Sequence, residues 1–248
     1  MTLEQFFAEN REVAVAFSGG VDSAYLLYAA TRYAARAKAY YVSTAFQPEF
    51  ELADARRLAD ELGADMLVLH VDVLSNSAVT ANPSDRCYHC KNTLFRQILR
   101  AAENDGFPVL LDGTNASDDA GDRPGMRALR ELSVRSPLRE CGLTKAEIRR
   151  LSREAGLFTW DKPAYTCLAT RIRTGEEITL QKLRQTEKAE GFLFGLGFRD
   201  FRVRMVGNTA KLELREADLP LLLENREKIV TELRKDYDSV LLNLEVRK

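Results

Sequence analysis

No apolar run in these 248 residues reaches the roughly 18 that a membrane-spanning helix needs. The opening MTLEQFFAEN is acidic rather than basic and apolar, so it does not read as a secretory leader, and a cytoplasmic location is expected. Neither sign of charge is in excess: 36 Lys and Arg face 37 Asp and Glu, a net charge of -1. That balance gives no general attraction to a polyanionic backbone, and no Lys/Arg-rich arm supplies one locally, so nucleic acid is not expected as a partner. Internal repeats and low-complexity tracts are missing too, which excludes solenoid architectures. Cysteine is sparse, at four, and in a cytosolic chain such residues are free, metal-bound or catalytic rather than disulfide-bonded. What remains is an ordinary globular composition, 45% hydrophobic and 29% charged, on a chain long enough for one large domain and a small one.

Against that background the hexapeptide Ser18-Gly19-Gly20-Val21-Asp22-Ser23 stands out. It follows an apolar run at 13–17 and opens a helical pattern at 24–35. A strand that turns through two glycines into a helix makes an anion cradle, because backbone N–H groups point into the turn and the helix N-terminus adds partial positive charge. Glycine leaves room for an anion to approach the main chain, and a nucleotide triphosphate is the expected guest. Here again an absence is informative. A Walker loop carries a lysine that reaches the β and γ phosphates, and this loop has none. It resembles instead the SGGxDS signature of the PP-loop ATP pyrophosphatases, which hold the β,γ-pyrophosphate as a leaving group and pass AMP to an oxygen of the substrate. That resemblance implies that Asp22 helps to hold Mg²⁺, that Ser18 and Ser23 bind phosphate oxygens, and that Gly19 and Gly20 shape the ATP cradle. The plainer alternative is a serine-capped helix after a glycine turn, which has no need of both glycines and both serines.

Strand-like and helix-like segments alternate through the first half, with strands at 13–17, 39–44, 66–73 and 108–111 and helices at 22–36, 50–62 and 91–102. The alternation predicts βαβ units, hence an α/β fold with a parallel sheet covered by helices on both faces and a ligand beyond the carboxyl ends of its strands. The run Asp112-Gly113-Thr114-Asn115-Ala116-Ser117-Asp118 follows the last of these strands and should leave the sheet on the same edge as SGGVDS. Gly113 and Thr114, with Asn115 beside them, are nucleotide-binding candidates, and Asp118 serves a metal or orders the loop. A turn into an exposed loop is the plain alternative. Further on, Thr144 and Glu147 fit the S/T-x-x-E capping box of a helix ending near 155–156, which is read as structural.

The cysteines form the second signal. Cys87-Tyr88-His89-Cys90 stands just before the helix expected at 91–102, and Cys167 lies far downstream in KPAYTCLATR, close to Arg171. A C-x-x-C pair can ligate one metal centre, and a helix N-terminus with Arg86 and Lys91 nearby is electropositive company for thiolates. Three thiolates suit an iron–sulfur cluster with one iron left open, whereas structural zinc takes four protein ligands. His89 would complete a zinc site only by crowding three ligands into four residues. Redox pairs and small buried hydrophobes are the other uses of such cysteines, and Cys141 is assigned the second of these.

Taken in order, SGGVDS, RCYHCK, DGTNASD, SPLRECGLTKAEIRRL and WDKPAYTCLATRI resemble the LarE sulfur transferases, PP-loop proteins that build a nickel-pincer nucleotide cofactor. SGGVDS alone is shared with tRNA thiolases, NAD synthetase and GMP synthetase. The KPAYTCLATR segment together with the C-terminal region is more specific, and the likeness runs over nearly the whole chain. It implies a PP-loop domain over residues 1–172, Rossmann-like and similar to the adenine nucleotide alpha hydrolases, and a small C-terminal α+β domain over 173–248 for substrate and oligomer contacts. It also implies a two-step reaction on a pyridinium mononucleotide carrying carboxylates. ATP adenylates a carboxylate with release of pyrophosphate, and a sulfur nucleophile then displaces AMP to leave a thiocarboxylate, with Asp22 and Cys167 as catalytic residues. One branch of the family takes the sulfur from a single cysteine at the position of Cys167 and is left with dehydroalanine. A second branch holds a 4Fe–4S cluster on three cysteines and donates an additional sulfide. Cys87, Cys90 and Cys167 place this chain with the second, which turns over if a sulfide donor resupplies it.

The C-terminal region reads as a helix at 180–196, two strands, a second helix and a last strand at 240–246. In Phe201-Arg202-Val203-Arg204-Met205 the period of two sends the arginines to one face, and Lys211, Glu213 and Arg215 alternate likewise with Leu212 and Leu214 beyond a turn at Gly207-Asn208. A solvated basic face is the plain reading of that pattern. Matched to the family, Arg202, Arg204, Glu213 and Glu190, with Arg171, line the substrate side instead, where guanidinium forks suit the phosphate of a mononucleotide. Family members form hexamers, so a homo-oligomer is expected. Two rivals stand beside this reading: an iron–sulfur tRNA thiolase, which needs a broad basic surface, and a zinc-bearing regulator for which ATP binding alone is the function.

Overall fold

The computed structural model describes residues 1–118 and 124–247. The chain divides into two compact units, Met1–Val73 with Asp85–Lys162, and Leu74–Ser84 with Pro163–Lys248. All candidate site residues lie among those described.

The first unit is built on a four-stranded parallel sheet in the order β3-β2-β1-β4, formed by β1 (Glu12–Ala16), β2 (Arg36–Ser43), β3 (Asp65–His70) and β4 (Val109–Leu111). Val15 of β1 pairs with Ala39 of β2 on one side and Leu111 of β4 on the other. Apolar residues occupy both faces of these strands, as a parallel sheet covered on both sides requires. Val13, Val15, Ala39 and Tyr41 pack with Leu26, Leu27 and Leu58 of the helices Val21–Tyr33 and Glu49–Leu62. The alternate residues Ala14, Tyr40, Val42 and Leu110 pack with Ile98 and Ala102 of the helix Arg86–Asn104. The chain adds β2 and β3 on one side of β1 and then crosses to β4 on the other. The strand order therefore reverses at β1, and the loops after β1 and β4 leave the sheet side by side, at the crevice where doubly wound sheets bind ligands.

One boundary differs with consequence. The helix expected from residue 91 begins at Arg86, where Tyr88 N–H donates to the Asp85 carbonyl at 2.8 Å. Cys87 and Cys90 are therefore inside the helix, near its start, and their spacing of three puts them on one helix face. The capping box at Thr144 and Glu147 forms in full and starts the helix Lys145–Glu154.

The second unit carries a three-stranded mixed sheet, β5 (Arg202–Val206) antiparallel to β6 (Thr209–Glu213), which is parallel to β7 (Ser239–Leu242). Gly207, at φ +58°, occupies the two-residue turn between β5 and β6, where left-handed backbone favours glycine. Leu183 and Leu193 of the helix Leu180–Gly195 are buried with Val203, Met205 and Leu212, and the Phe201 ring lies 4.8 Å from that of Phe194. The second helix expected here is two shorter ones, Leu219–Glu224 and Arg226–Leu233.

The division between units falls at Lys162 and Pro163 rather than between 172 and 173, because the intervening segment is hydrogen-bonded into the second unit. The Ala164 carbonyl accepts from Arg202 at 2.8 Å and the Thr170 carbonyl from Arg204 at 2.6 Å. Residues 74–84 join the same unit through Asn82, which donates to the Arg173 carbonyl at 2.8 Å and accepts from Gly175 N–H at 2.8 Å. Among the described residues no helix is long and apolar enough to cross a membrane.

Candidate active site

β1 ends at Ala16, and two glycines turn the chain into the helix Val21–Tyr33. Gly19 has φ +74°, a conformation that a side chain would strain, and a Cβ there would also stand 3.4 Å from the Glu51 carbonyl. Gly20 is the N-cap, and the first intrahelical donor is Ala24 N–H, to Gly20 O at 2.9 Å. The N–H groups of Val21, Asp22 and Ser23 thus head the helix without intrahelical acceptors, as anion cradles require. The two serines fold the turn onto itself. Ser23 Oγ donates to Gly20 O at 3.2 Å and accepts from Ser18 N–H at 3.2 Å, with the two hydroxyls 3.1 Å apart.

The loop after β4 is fitted against this turn. A Cβ on Gly113 would lie 2.9 Å from Ser23 N, so only glycine lets the two loops meet this closely. Most of the other polar groups bond within the loop: Thr114 Oγ1 donates to Asp112, Asn115 Oδ1 accepts from Ser117 N–H at 2.8 Å, and Asp118 Oδ2 accepts from Asn115 N–H at 2.8 Å. Of the two roles open to Asp118, its carboxylate is engaged in ordering the loop. Asp112 also accepts from Ser136 Oγ, which ties in the SPLRE segment.

Two lysines from distant parts of the sequence reach the glycine turn. Lys145 Nζ is 2.5 Å from Asp22 Oδ2, while the other carboxylate oxygen, Oδ1, is buried and has no partner among the described residues. An unpaired buried acceptor costs about 1–3 kcal/mol, and a carboxylate oxygen is the hard donor that Mg²⁺ takes, so Asp22 is a residue that could hold such a cation. Lys162 Nζ lies 2.7 Å from Asp54 Oδ2 and 3.5 Å from the Gly19 carbonyl. Backbone N–H of Lys145 donates to Ser117 Oγ at 3.0 Å, so the turn after β1, the loop after β4 and the start of the Lys145–Glu154 helix form one wall.

On the Arg86–Asn104 helix of the same unit Cys87 is exposed and Cys90 half-buried. Arg86 is a buried residue, and its Nη2 comes within 3.9 Å of Cys87 Sγ. His89 Nε2 lies 3.4 Å from Asp85 Oδ2. None of the four cysteines is in a disulfide, and burial pushes the Cys141 thiol above its ordinary pKa. Two thiols on one face at a helix N-terminus are a donor set that suits a thiolate-bound centre. Among the described residues no group of three or more His, Cys, Asp or Glu side chains is gathered as a metal site.

Cys167 belongs to the second unit, where it caps a single turn of 3₁₀ helix, Leu168–Arg171. Arg171 and Glu190 are each 1% exposed and pair through two bonds, Nε to Oε1 at 2.8 Å and Nη2 to Oε2 at 3.0 Å. Burial works against the Arg171 charge, but Glu190 outweighs it and leaves the guanidinium pKa raised. Arg202, 6% exposed, donates to the carbonyls of Phe201 and Ala164, both at 2.8 Å, and Asp200 stands 4.0 Å away. Burial, then repulsion from Arg171 and Arg247, lowers its pKa to about 10, so an anion at this guanidinium is favoured. Arg204 Nε donates to Glu213 Oε2 at 2.8 Å, and Lys211 Nζ lies 3.2 Å from Oε1. Burial raises the Glu213 pKa, but these two cations overcome it and hold the carboxyl below its ordinary value.

Over 235 residues, 94% of this chain and 85% of the relative, the sequence is 32% identical to the pyridinium-3,5-bisthiocarboxylic acid mononucleotide synthase of Lactiplantibacillus plantarum. The chain belongs to the LarE family. LarE proteins are ATP-using, sulfur-transferring enzymes of the PP-loop class, and residues 4–118 match the Asparagine synthase family, whose nucleotide-binding sheet is of that class. An uncharacterised protein of Synechocystis is 39% identical over 86% of this chain and 80% of its own length. An uncharacterised protein of Methanocaldococcus jannaschii is 30% identical over 96% and 91% respectively.

Within this LarE-family chain the first unit gathers Ser18, Gly19, Gly20, Asp22, Ser23 and Gly113 at one sheet edge, with Thr114, Asn115 and Asp118 in the adjoining loop. The second unit links Cys167, Arg171 and Glu190 directly, and Arg204 to both Thr170 and Glu213. Sequence reasoning missed Lys145, Lys162 and Asp112. Lys145 is the first residue of a helix read as structural, and the signal available was a cationic side chain at a capped helix start in a protein whose glycine loop has no lysine of its own.

Proposed function

We propose that this LarE-family chain adenylates a carboxylate of a pyridinium biscarboxylate mononucleotide and converts it to a thiocarboxylate. The observation that carries the reading is the pairing of a near full-length likeness to a synthase of that thiocarboxylate with an Asp22 carboxylate that keeps one buried oxygen without a partner among the described residues. In the first step a substrate carboxylate oxygen attacks the α-phosphorus of ATP, the bond to the bridging oxygen breaks, and pyrophosphate leaves. The N–H groups of Val21, Asp22 and Ser23 bind the departing phosphates, and Lys145 and Lys162 supply the positive charge that the loop lacks. Asp22, with Lys145 beside it, would hold Mg²⁺, whose chemistry here is to neutralise charge on the phosphate oxygens. In the second step a sulfur nucleophile presented at Cys167 attacks the acyl carbon and the bond to AMP breaks. Arg202 and Arg204 of β5 suit the phosphate of the mononucleotide.

Cys87, Cys90 and Cys167 are the residues that would hold a 4Fe–4S cluster, whose chemistry is to carry the transferred sulfide. The test is iron and acid-labile sulfide in protein purified without oxygen, beside Cys87→Ala, with thiocarboxylate formation followed in both. About four of each per chain in the parent, lost in the variant together with repeated turnover, is the expected result. Parent protein that makes one thiocarboxylate per chain and loses the elements of H₂S at Cys167 would replace it with sacrificial transfer.

A further inference from the structure

The Glu190 carboxylate has no bonding capacity left for a substrate, and four of the five Arg171 N–H groups are engaged by the contacts around them. A carboxylate offers about four lone-pair sites, and Glu190 has four donors: Arg171 Nε at 2.8 Å and Val203 N–H at 2.9 Å on Oε1, Arg171 Nη2 at 3.0 Å and the Tyr165 hydroxyl at 2.5 Å on Oε2. On the other side of the guanidinium, Nη1 donates to the Thr166 hydroxyl at 2.7 Å, the Thr170 hydroxyl at 2.9 Å and the Thr166 carbonyl at 3.0 Å, with the Cys167 carbonyl at 3.5 Å. The Tyr165 ring lies 4.7 Å from the guanidinium carbon. These contacts bracket Cys167 from 165 to 170, and the pair itself is buried, with side chains 0% and 2% exposed.

We propose that Arg171 and Glu190 are positioning residues, not substrate ligands: Glu190, anchored to β5 through Val203 N–H, fixes the guanidinium, and the guanidinium fixes the backbone that presents the Cys167 sulfur. The proposal rests on Cys167 being the residue at which sulfur is presented. It explains why a doubly buried ion pair stands beside a reactive thiol. A planar five-donor fork can hold a carboxylate on one edge and a loop on another, which lysine cannot do.

The test compares Arg171→Lys and Thr170→Val with the parent in full-length protein. Three quantities are read: the KM for the mononucleotide from pyrophosphate release, the rate of thiocarboxylate formation at saturation, and, in full-length protein stripped of iron by a chelator, the alkylation rate of Cys167 by iodoacetamide relative to Cys141. A sulfur displaced by about 1 Å costs on the order of 10²-fold in rate, and that loss is expected for Arg171→Lys at saturating substrate, with KM within about threefold of the parent. The Cys167 alkylation rate should change while that of Cys141 does not. Thr170→Val leaves the buried pair intact, so it keeps the fold, and it should move the same two quantities in the same direction by a smaller factor. A raised KM with an unchanged saturated rate would overturn the proposal and make Arg171 a substrate ligand. Unchanged transfer and alkylation in both variants would overturn it as well. Failure of the underlying reading looks different: Cys167→Ala would then still form thiocarboxylate.

Discussion

Replacing Lys145 with methionine separates a phosphate-binding lysine from a structural counter-ion. Its Nζ lies 2.5 Å from Asp22 Oδ2, with side chains 37% and 22% exposed. Two unit charges at about 4 Å attract by about 4 kcal/mol at an effective dielectric of 20, but for a pair this exposed solvent screening and side-chain entropy remove most of it, leaving about 1 kcal/mol or less. In a chain of this size that is a fall in Tm of about 2–4 °C at most. The first chemical step responds on another scale. If Lys145 moves onto the pyrophosphate as charge develops there, its loss removes a charge-assisted contact aimed at the transition state, and such losses cost about 10²–10³ in kcat. The assay is pyrophosphate release with saturating ATP, Mg²⁺ and mononucleotide, read beside a thermal melt. Methionine keeps the length and the apolar stem of lysine, so a fall in kcat with a nearly unchanged melt isolates the charge. A variant that melts much lower yet releases pyrophosphate at the parent rate would refute the reasoning, leaving Lys145 as a brace for Asp22.

Two further outcomes follow from particular contacts. Gly113→Ala should destabilise the first unit and weaken ATP binding, because its Cβ would meet Ser23 N at 2.9 Å and backbone cannot step aside as a side chain can. Overpacking of this kind costs about 1–3 kcal/mol, which denaturant unfolding would detect, and parent-like ATP affinity would count against the close fit of the two loops. Glu213 should make the second unit acid-sensitive. Its carboxyl is held below the ordinary 4.5 by Arg204 and Lys211 against the opposing effect of burial, so its contribution is present above 4.5 and lost as pH falls through the lower folded value. In Glu213→Gln the acid limb of a stability–pH profile should flatten below about pH 4.5, and an unchanged limb would mean that the pair with Arg204 carries no net stability.

Much of this molecule is written in short-range patterns. The alternation of apolar residues in β1 and β2, the two glycines after Phe17, the capping box at Thr144 and the period of two in Arg202–Val206 each concern residues a few positions apart, where backbone sterics and side-chain direction decide the outcome. From those alone came the parallel sheet, the edge at which SGGVDS and DGTNASD emerge, and the hairpin with its charged face. The helix around Cys87 was legible as a helix but not in its start, since Asp85 supplies no side-chain cap.

What tertiary structure decided is the identity of partners. Lys145 and Asp22 are 123 residues apart, Arg202 and Ala164 are 38 apart, and nothing in the local pattern of either member names the other. The same holds for roles. Arg171 and Glu190 read as charged residues available to a substrate, because sequence records a side chain's chemistry and not whether its donors and acceptors are already spent. Only the folded chain shows all four lone pairs of Glu190 occupied, and burial makes that occupancy obligatory, since a charge removed from water is tolerated only when it is paired and hydrogen-bonded. The sequence determined the elements and the chemistry on offer, while the packing of distant segments decided which of that chemistry remained open.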